Sequence, residues 1–101
     1  MDTGTLKQIL IEEMQKYAAE GLNAYSYLTE NEIENLYTIV DIATVRGKRI
    51  VGTVLVAQLH ENNIIIELDH NNKLLADALI AHGVPEDQLA LAYLDTTIPM
   101  V

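Results

Sequence analysis

The chain contains no cysteine, no tryptophan and no phenylalanine. The lack of cysteine excludes disulfides, thiolate metal sites and cysteine nucleophiles together, and it suits a protein kept in a reducing cytoplasm. With five tyrosines as the only aromatic residues, the hydrophobic half of the composition is mostly aliphatic. Two prolines leave no Pro-rich linker, and five isolated glycines leave no Gly-rich phosphate loop. No apolar run approaches the roughly 20 residues of a bilayer span, and Ile50 to Leu59 is too short and too interrupted. Basic residues are scarce: six Lys and Arg stand against fifteen Asp and Glu, a net charge of −9. Such a surface repels phosphate and argues against autonomous nucleic-acid binding, so a basic protein is its natural complement.

The charge is uneven, −3 over residues 1–50 and −6 over residues 51–101, where Lys73 is the only base. Met1-Asp2-Thr3-Gly4-Thr5 has neither a basic nor an apolar leader region, so no secretory signal is expected. At 101 residues the chain is expected to form a single domain spanning residues 1–101.

Thr5-Leu6-Lys7-Gln8 fits a capping box, with Thr5 as N-cap and Gln8 reaching back. Leu6, Ile9, Leu10, Met14, Tyr17, Ala18 and Gly21 then recur at helical spacing, which predicts a helix over 6–20 with Gly21 as its stop. Strands are expected over 24–29, 36–45, 50–60 and 64–68. Turns are expected at Arg46-Gly47-Lys48-Arg49 and Asn62-Asn63, and a solvated loop over Glu30 to Asn35. The last three strands read as an antiparallel meander. Val54, Leu55, Val56 and Ala57 are all apolar, so both faces of the middle strand are expected to avoid water, through sheet curling or a second subunit.

Asn71 or Asn72 is the expected cap of a second helix whose inward stripe is Leu74, Leu75, Ala78, Leu79 and His82. Gly83 supplies a left-handed stop, Val84 folds back onto Leu79, and Pro85 prevents continuation. Leu89, Leu91 and Tyr93 alternate with Ala90 and Ala92 as a final strand. The fold class is therefore α+β: an N-terminal helix, an antiparallel meander sheet, a second helix and a final strand, with the helices on one face.

No catalytic constellation stands out. His60, His70 and His82 lack ligand spacing, so no metal is expected, and no cofactor either. Asp69, Asp77, Glu86 and Asp87 lack a nucleophile or oxyanion cradle to work with, and a structural role fits them better. The candidate contact residues are charged groups. Glu30, Glu32 and Glu34 form an acidic strip, Glu86 and Asp87 follow Pro85, and Arg46, Lys48 and Arg49 gather half of the bases at one hairpin tip. The same residues also suit a solvated loop, a first turn that favours negative charge, and a soluble turn that blunts a sheet edge.

From Ile64 to Leu68, through Ala76-Asp77-Ala78-Leu79, to Gly83-Val84-Pro85-Glu86-Asp87-Gln88-Leu89-Ala90-Leu91-Ala92-Tyr93, the chain resembles the XisI family, the fdxN element excision controlling factors. The N-terminal helix, Tyr37 after an acidic loop, and Gly52 in the meander follow the family order. The chain differs in lacking the family's common meander tryptophans, in reading His70-Asn71-Asn72-Lys73 before the second helix, and in its tail. The resemblance implies a compact α+β domain with no catalytic residues to transfer. It also implies a regulatory accessory role in excision of a DNA element, exerted on a protein partner such as XisH, a nuclease-type companion, or a recombinase. Self-association is expected to cover the apolar middle strand. The alternatives are a direct DNA-binding factor using the Arg46 to Arg49 hairpin, and a small-ligand-binding domain.

Overall fold

The structure, a computed structural model, describes residues 1–19 and 23–94. Helix α1 spans Thr3–Gln15, and α2 spans Leu75–Ala81. Strands β1 (Ala24–Asn31), β2 (Leu36–Val45), β3 (Lys48–His60), β4 (Asn63–Asp69) and β5 (Leu89–Leu91) form one sheet in the order β1-β2-β3-β4-β5. The first four strands are an antiparallel meander. β5 returns after α2 and pairs parallel to β4, Ile64 opposite Leu89. The α+β expectation holds, and the sheet is mixed.

Both helices cover one face of the sheet. Leu6, Ile9, Leu10 and Met14 of α1 and Leu75, Ala76 and Leu79 of α2 bury against Tyr37, Ile39, Leu55, Ala57, Leu59, Ile64 and Ile66. Burial of such aliphatic side chains supplies roughly 1.5–3 kcal/mol each and dominates the stability of the fold. The opposite face carries no element among the described residues. Val40, Ile42, Val56, Ile65 and Leu68 there are half-buried, and Tyr25 and Tyr27 stack with ring centroids 6.2 Å apart.

A β-bulge interrupts the middle strand. Ile39 pairs with Leu55 but Val40 pairs with Thr53, so Val54 is the extra residue. The bulge accounts for Val54 alone: Leu55 and Ala57 face the helices, and Val56 between them faces the other side of the sheet. Leu55, Ala57 and Leu59 are buried, whereas Val54 and Val56 are half-exposed. A second bulge leaves Glu67 extra between Ile66 and Leu68.

The helix caps also differ from expectation. Asp2, not Thr5, caps α1: its Oδ1 accepts from the Thr5 N–H at 2.8 Å, and Gln8 bonds Glu12 instead of reaching back. α1 ends at Gln15, and the expected stop at Gly21 lies outside the described residues. Neither Asn71 nor Asn72 caps α2. Asp69 does so from the end of β4, its Oδ2 accepting from the Leu75 N–H at 2.8 Å. Leu74 and His82 leave the expected inward stripe, and Ala76 joins it.

The stop of α2 follows expectation. Gly83 has φ +105°, the Val84 N–H donates to the Leu79 carbonyl and the Gly83 N–H to the Ile80 carbonyl, each at 3.0 Å, and Val84 is buried. The β2–β3 turn is shorter than expected, only Arg46-Gly47, and the β3–β4 turn is Glu61-Asn62. All four residues have positive φ, the requirement of a two-residue hairpin turn.

Candidate functional site

The register sorts the candidate contact residues into two poles. The turn between β1 and β2, the turn between β3 and β4, and the start of β5 lie at one end of the sheet. Glu30, Glu32 and Glu34 lie at that end towards the β1 edge, Glu86 and Asp87 at the β5 edge, and Glu61 between them. Arg46, Lys48 and Arg49 sit at the opposite end, on the β2–β3 hairpin.

The acidic pole is firmly built. Asn31 Oδ1 accepts from the N–H groups of Ile33 and Glu34, both at 3.1 Å, and this holds the Glu32–Glu34 turn with Ile33 90% exposed between two carboxylates. Glu32 pairs with Lys7 at 3.3 Å, an exposed contact of little energetic weight. Glu86 and Asp87 occupy a 3-10 turn, Glu86–Gln88. Gln88 locks that turn in place: its Nε2 donates to the carbonyls of Met1 (2.9 Å) and Asn62 (2.8 Å), and its Oε1 accepts from the N-terminal amine at 3.0 Å. Glu86 also borders a shallow apolar depression of about 210 Å³ with Ala76, Ile80, Leu89 and Leu91.

A third polar feature lies between the helices and was not expected. Glu13 sits on the buried stripe of α1, only 6% exposed. Its Oε1 meets Lys16 Nζ and His82 Nδ1, both at 2.9 Å, and His82 Nε2 lies 3.7 Å from Glu12. Burial pushes the Glu13 carboxyl up, but the hydrogen bonds from Lys16 and His82 outweigh it and hold the group below its ordinary range. Glu13, Lys16 and His82, with Lys73 and Asp77, line an open cleft of about 500 Å³. At its margin the Tyr17 hydroxyl donates to the Lys73 carbonyl at 2.6 Å, and burial raises that phenol to about 12. The sequence did carry a signal for Glu13, an acid at i+3 and i+4 from the core residues Leu10 and Ile9.

Among the described residues, no group of three or more His, Cys, Asp or Glu is placed to hold a metal ion, and no helix is long and apolar enough to cross a membrane. Glu13, Lys16 and His82 are tied to one another, an arrangement that joins α1 to α2.

A family model described as XisI protein matches residues 2–99. No curated protein matches the chain at a significant level. Among solved structures, the fdxN element excision controlling factor XisI from Anabaena variabilis is similar, with a TM-score of 0.73 and 20% identity over 95% of this chain and 97% of that one. A XisI-like protein from the same organism has a TM-score of 0.69 and 17% identity over 88% of this chain and 81% of that one. These likenesses carry the fold, and the family match spans almost the whole sequence: this chain belongs to the XisI family.

Proposed function

We propose that this chain is a non-catalytic cytoplasmic accessory protein that helps control excision of a DNA element by binding a protein partner. A related XisI protein carries the name excision controlling factor. The observation that supports the reading is the segregation of charge. Glu30, Glu32, Glu34, Glu86 and Asp87 share one rigid end of the sheet, suited to a basic surface such as the DNA-binding cleft of a XisH-like nuclease or a recombinase. The reading includes self-association of the chain.

The test is capture of partners by the tagged chain from nuclease-treated extract of the source organism, followed by affinity measurement at several salt concentrations. A basic nuclease-like or recombinase-like protein is expected, bound less tightly as salt rises. Replacing Glu30, Glu32 and Glu34 together by Gln is expected to weaken binding by about tenfold, roughly 1.4 kcal/mol. Binding indifferent to salt and to that triple change would sink the proposal.

The Arg46, Lys48 and Arg49 hairpin supports a second reading, direct DNA contact, because no acid occurs from Ile42 to His60. Duplex affinity at near-physiological salt that disappears in Arg46→Ala/Arg49→Ala would favour it.

A further inference from the structure

The first half of β3 has a neighbour on one side only. β2 pairs with it from Lys48 to Thr53, whereas β4 reaches no further than Asp69 opposite Leu55. On the uncovered side no described residue pairs with Lys48 to Thr53, and all six are exposed. The other edges of the sheet are less open. The Ser26 N–H of β1 donates to the Ala19 carbonyl at 2.9 Å, so that edge is occupied at Ser26, and β5 is only three residues long.

The tight Arg46-Gly47 turn decides which backbone groups face outward. In a two-residue hairpin the closing pair, here Val45 and Lys48, exchanges hydrogen bonds. The alternate pairs Thr44–Arg49, Ile42–Val51 and Val40–Thr53 then turn their N–H and C=O groups away from each other. Thr44 conforms, its N–H donating outward to the Asn23 carbonyl at 2.9 Å. On β3 it follows that Arg49, Val51 and Thr53 present backbone donors and acceptors on the free side, a template for another strand.

We propose that this edge pairs antiparallel with the same edge of a second copy of the chain, about a two-fold axis at Val51. The inference deepens the self-association in the proposed function by giving it a surface, and it rests on that reading only in naming the occupant. The register sets Val51 against Val51 of the other copy, Arg49 against Thr53 and Ile50 against Gly52. Every outward backbone group finds a partner, and the cations lie at the two ends of the ladder, never opposite each other.

Charge and exposure select a second copy as the occupant. The hairpin carries Arg46, Lys48 and Arg49 and no acid. All fifteen acids and only three of the six Lys and Arg lie elsewhere, so the rest of the chain carries −12. Pairing in this register brings each cationic tip up to the end of the other copy's β4, at Asp69 opposite Leu55, with the exposed Glu67 two residues further in. It also shelters side chains that are otherwise wet: Val45 is 49% exposed, Ile50 53% and Val51 64%.

Two measurements test this. Light scattering of the full chain from about 1 to about 100 µM is expected to show the mass rising towards twice 11.2 kDa. Val51→Lys places like charges on the axis and is expected to weaken association at least tenfold, with the circular dichroism spectrum unchanged. The second uses Ile50→Cys and Gly52→Cys as separate proteins in this cysteine-free chain. A side chain at Gly52 meets nothing within 4 Å. Residues opposite each other at a non-hydrogen-bonded site lie about 4.5 Å apart, within disulfide reach. On oxidation the mixture is expected to yield a linked dimer well above either protein alone. A monomeric mass throughout, a dimer indifferent to Val51→Lys, or no excess cross-link in the mixture would overturn the proposal. Each result is read on purified chain, so loss of the excision partner leaves it standing, and the reverse holds.

Discussion

The carboxylate of Asp69 and the amide of Leu75, six residues apart, join the end of the sheet to the start of the second helix at 2.8 Å. The N-cap residue, Leu74, has no side-chain acceptor, so Asp69 replaces it from outside the helix. Its other oxygen accepts from the Asn71 N–H at 3.1 Å and from Asn71 Nδ2 at 2.8 Å, which shapes the connecting loop. Asp69→Ala is expected to cost about 1–3 kcal/mol, the range for a lost cap and an orphaned buried donor, with Asp69→Asn in between. Urea unfolding of the three proteins checks the order.

Glu13 gives the acid limb of stability its direction. Its folded pKa lies below the ordinary 4.5, so its contribution is complete above that value and is lost as pH falls through the folded pKa. Glu13→Gln should be less stable than the parent at neutral pH by about 1–3 kcal/mol. The difference should shrink below pH 4.5. Thermal melts across that range would show a constant difference if Glu13 were not responsible.

Tyr17 acts at the alkaline end. Its phenol is raised from 10.0 to about 12, chiefly by burial. The stability linked to it is present in full below pH 10.0 and declines as pH rises towards about 12. Tyr17→Phe is expected to remove one late phenolate step in an ultraviolet titration. It should also cost about 1 kcal/mol through loss of the bond to the Lys73 carbonyl.

Gly83 has open space around its α-carbon but φ +105°. Gly83→Ala should therefore destabilise through backbone strain alone, by about 1–2 kcal/mol. A urea midpoint equal to the parent's would contradict the left-handed stop.

Much of the fold was legible in the residues. Periodicity located both helices and every strand, although the last strand ends at Leu91 and Tyr93 falls in a 3-10 turn, Ala92–Leu94; Gly83-Val84-Pro85 marked the helix stop because each of the three has a distinct backbone consequence. The caps were misread because a capping pattern is local, and Thr5 and Asn71 had competitors, Asp2 and Asp69, that only three-dimensional placement could favour. In strand 54–57 the residues did not show that Val54 is an extra one. Alternation reports facing only while the ladder is regular, and a bulge shifts it without any residue that announces one. The charged contact residues were visible as types, but their separation into two poles depends on sheet register. Glu13 was hidden because a buried acid among leucines looks like a surface residue until its partners from α2 arrive.

The extra residue at Val54 has a consequence for how this chain can change. It works as a phase joint, letting one continuous strand obey two independent facing rules, one for the packed half and one for the projecting half. Deleting that single residue would leave Leu55 opposite Ile39 and Thr53 opposite Val40, so both halves would keep their facing and only the local kink would go. A lineage can therefore gain or lose this residue and bend or straighten the strand, without exchanging the outward character of the arm or disturbing the interior that keeps the domain folded.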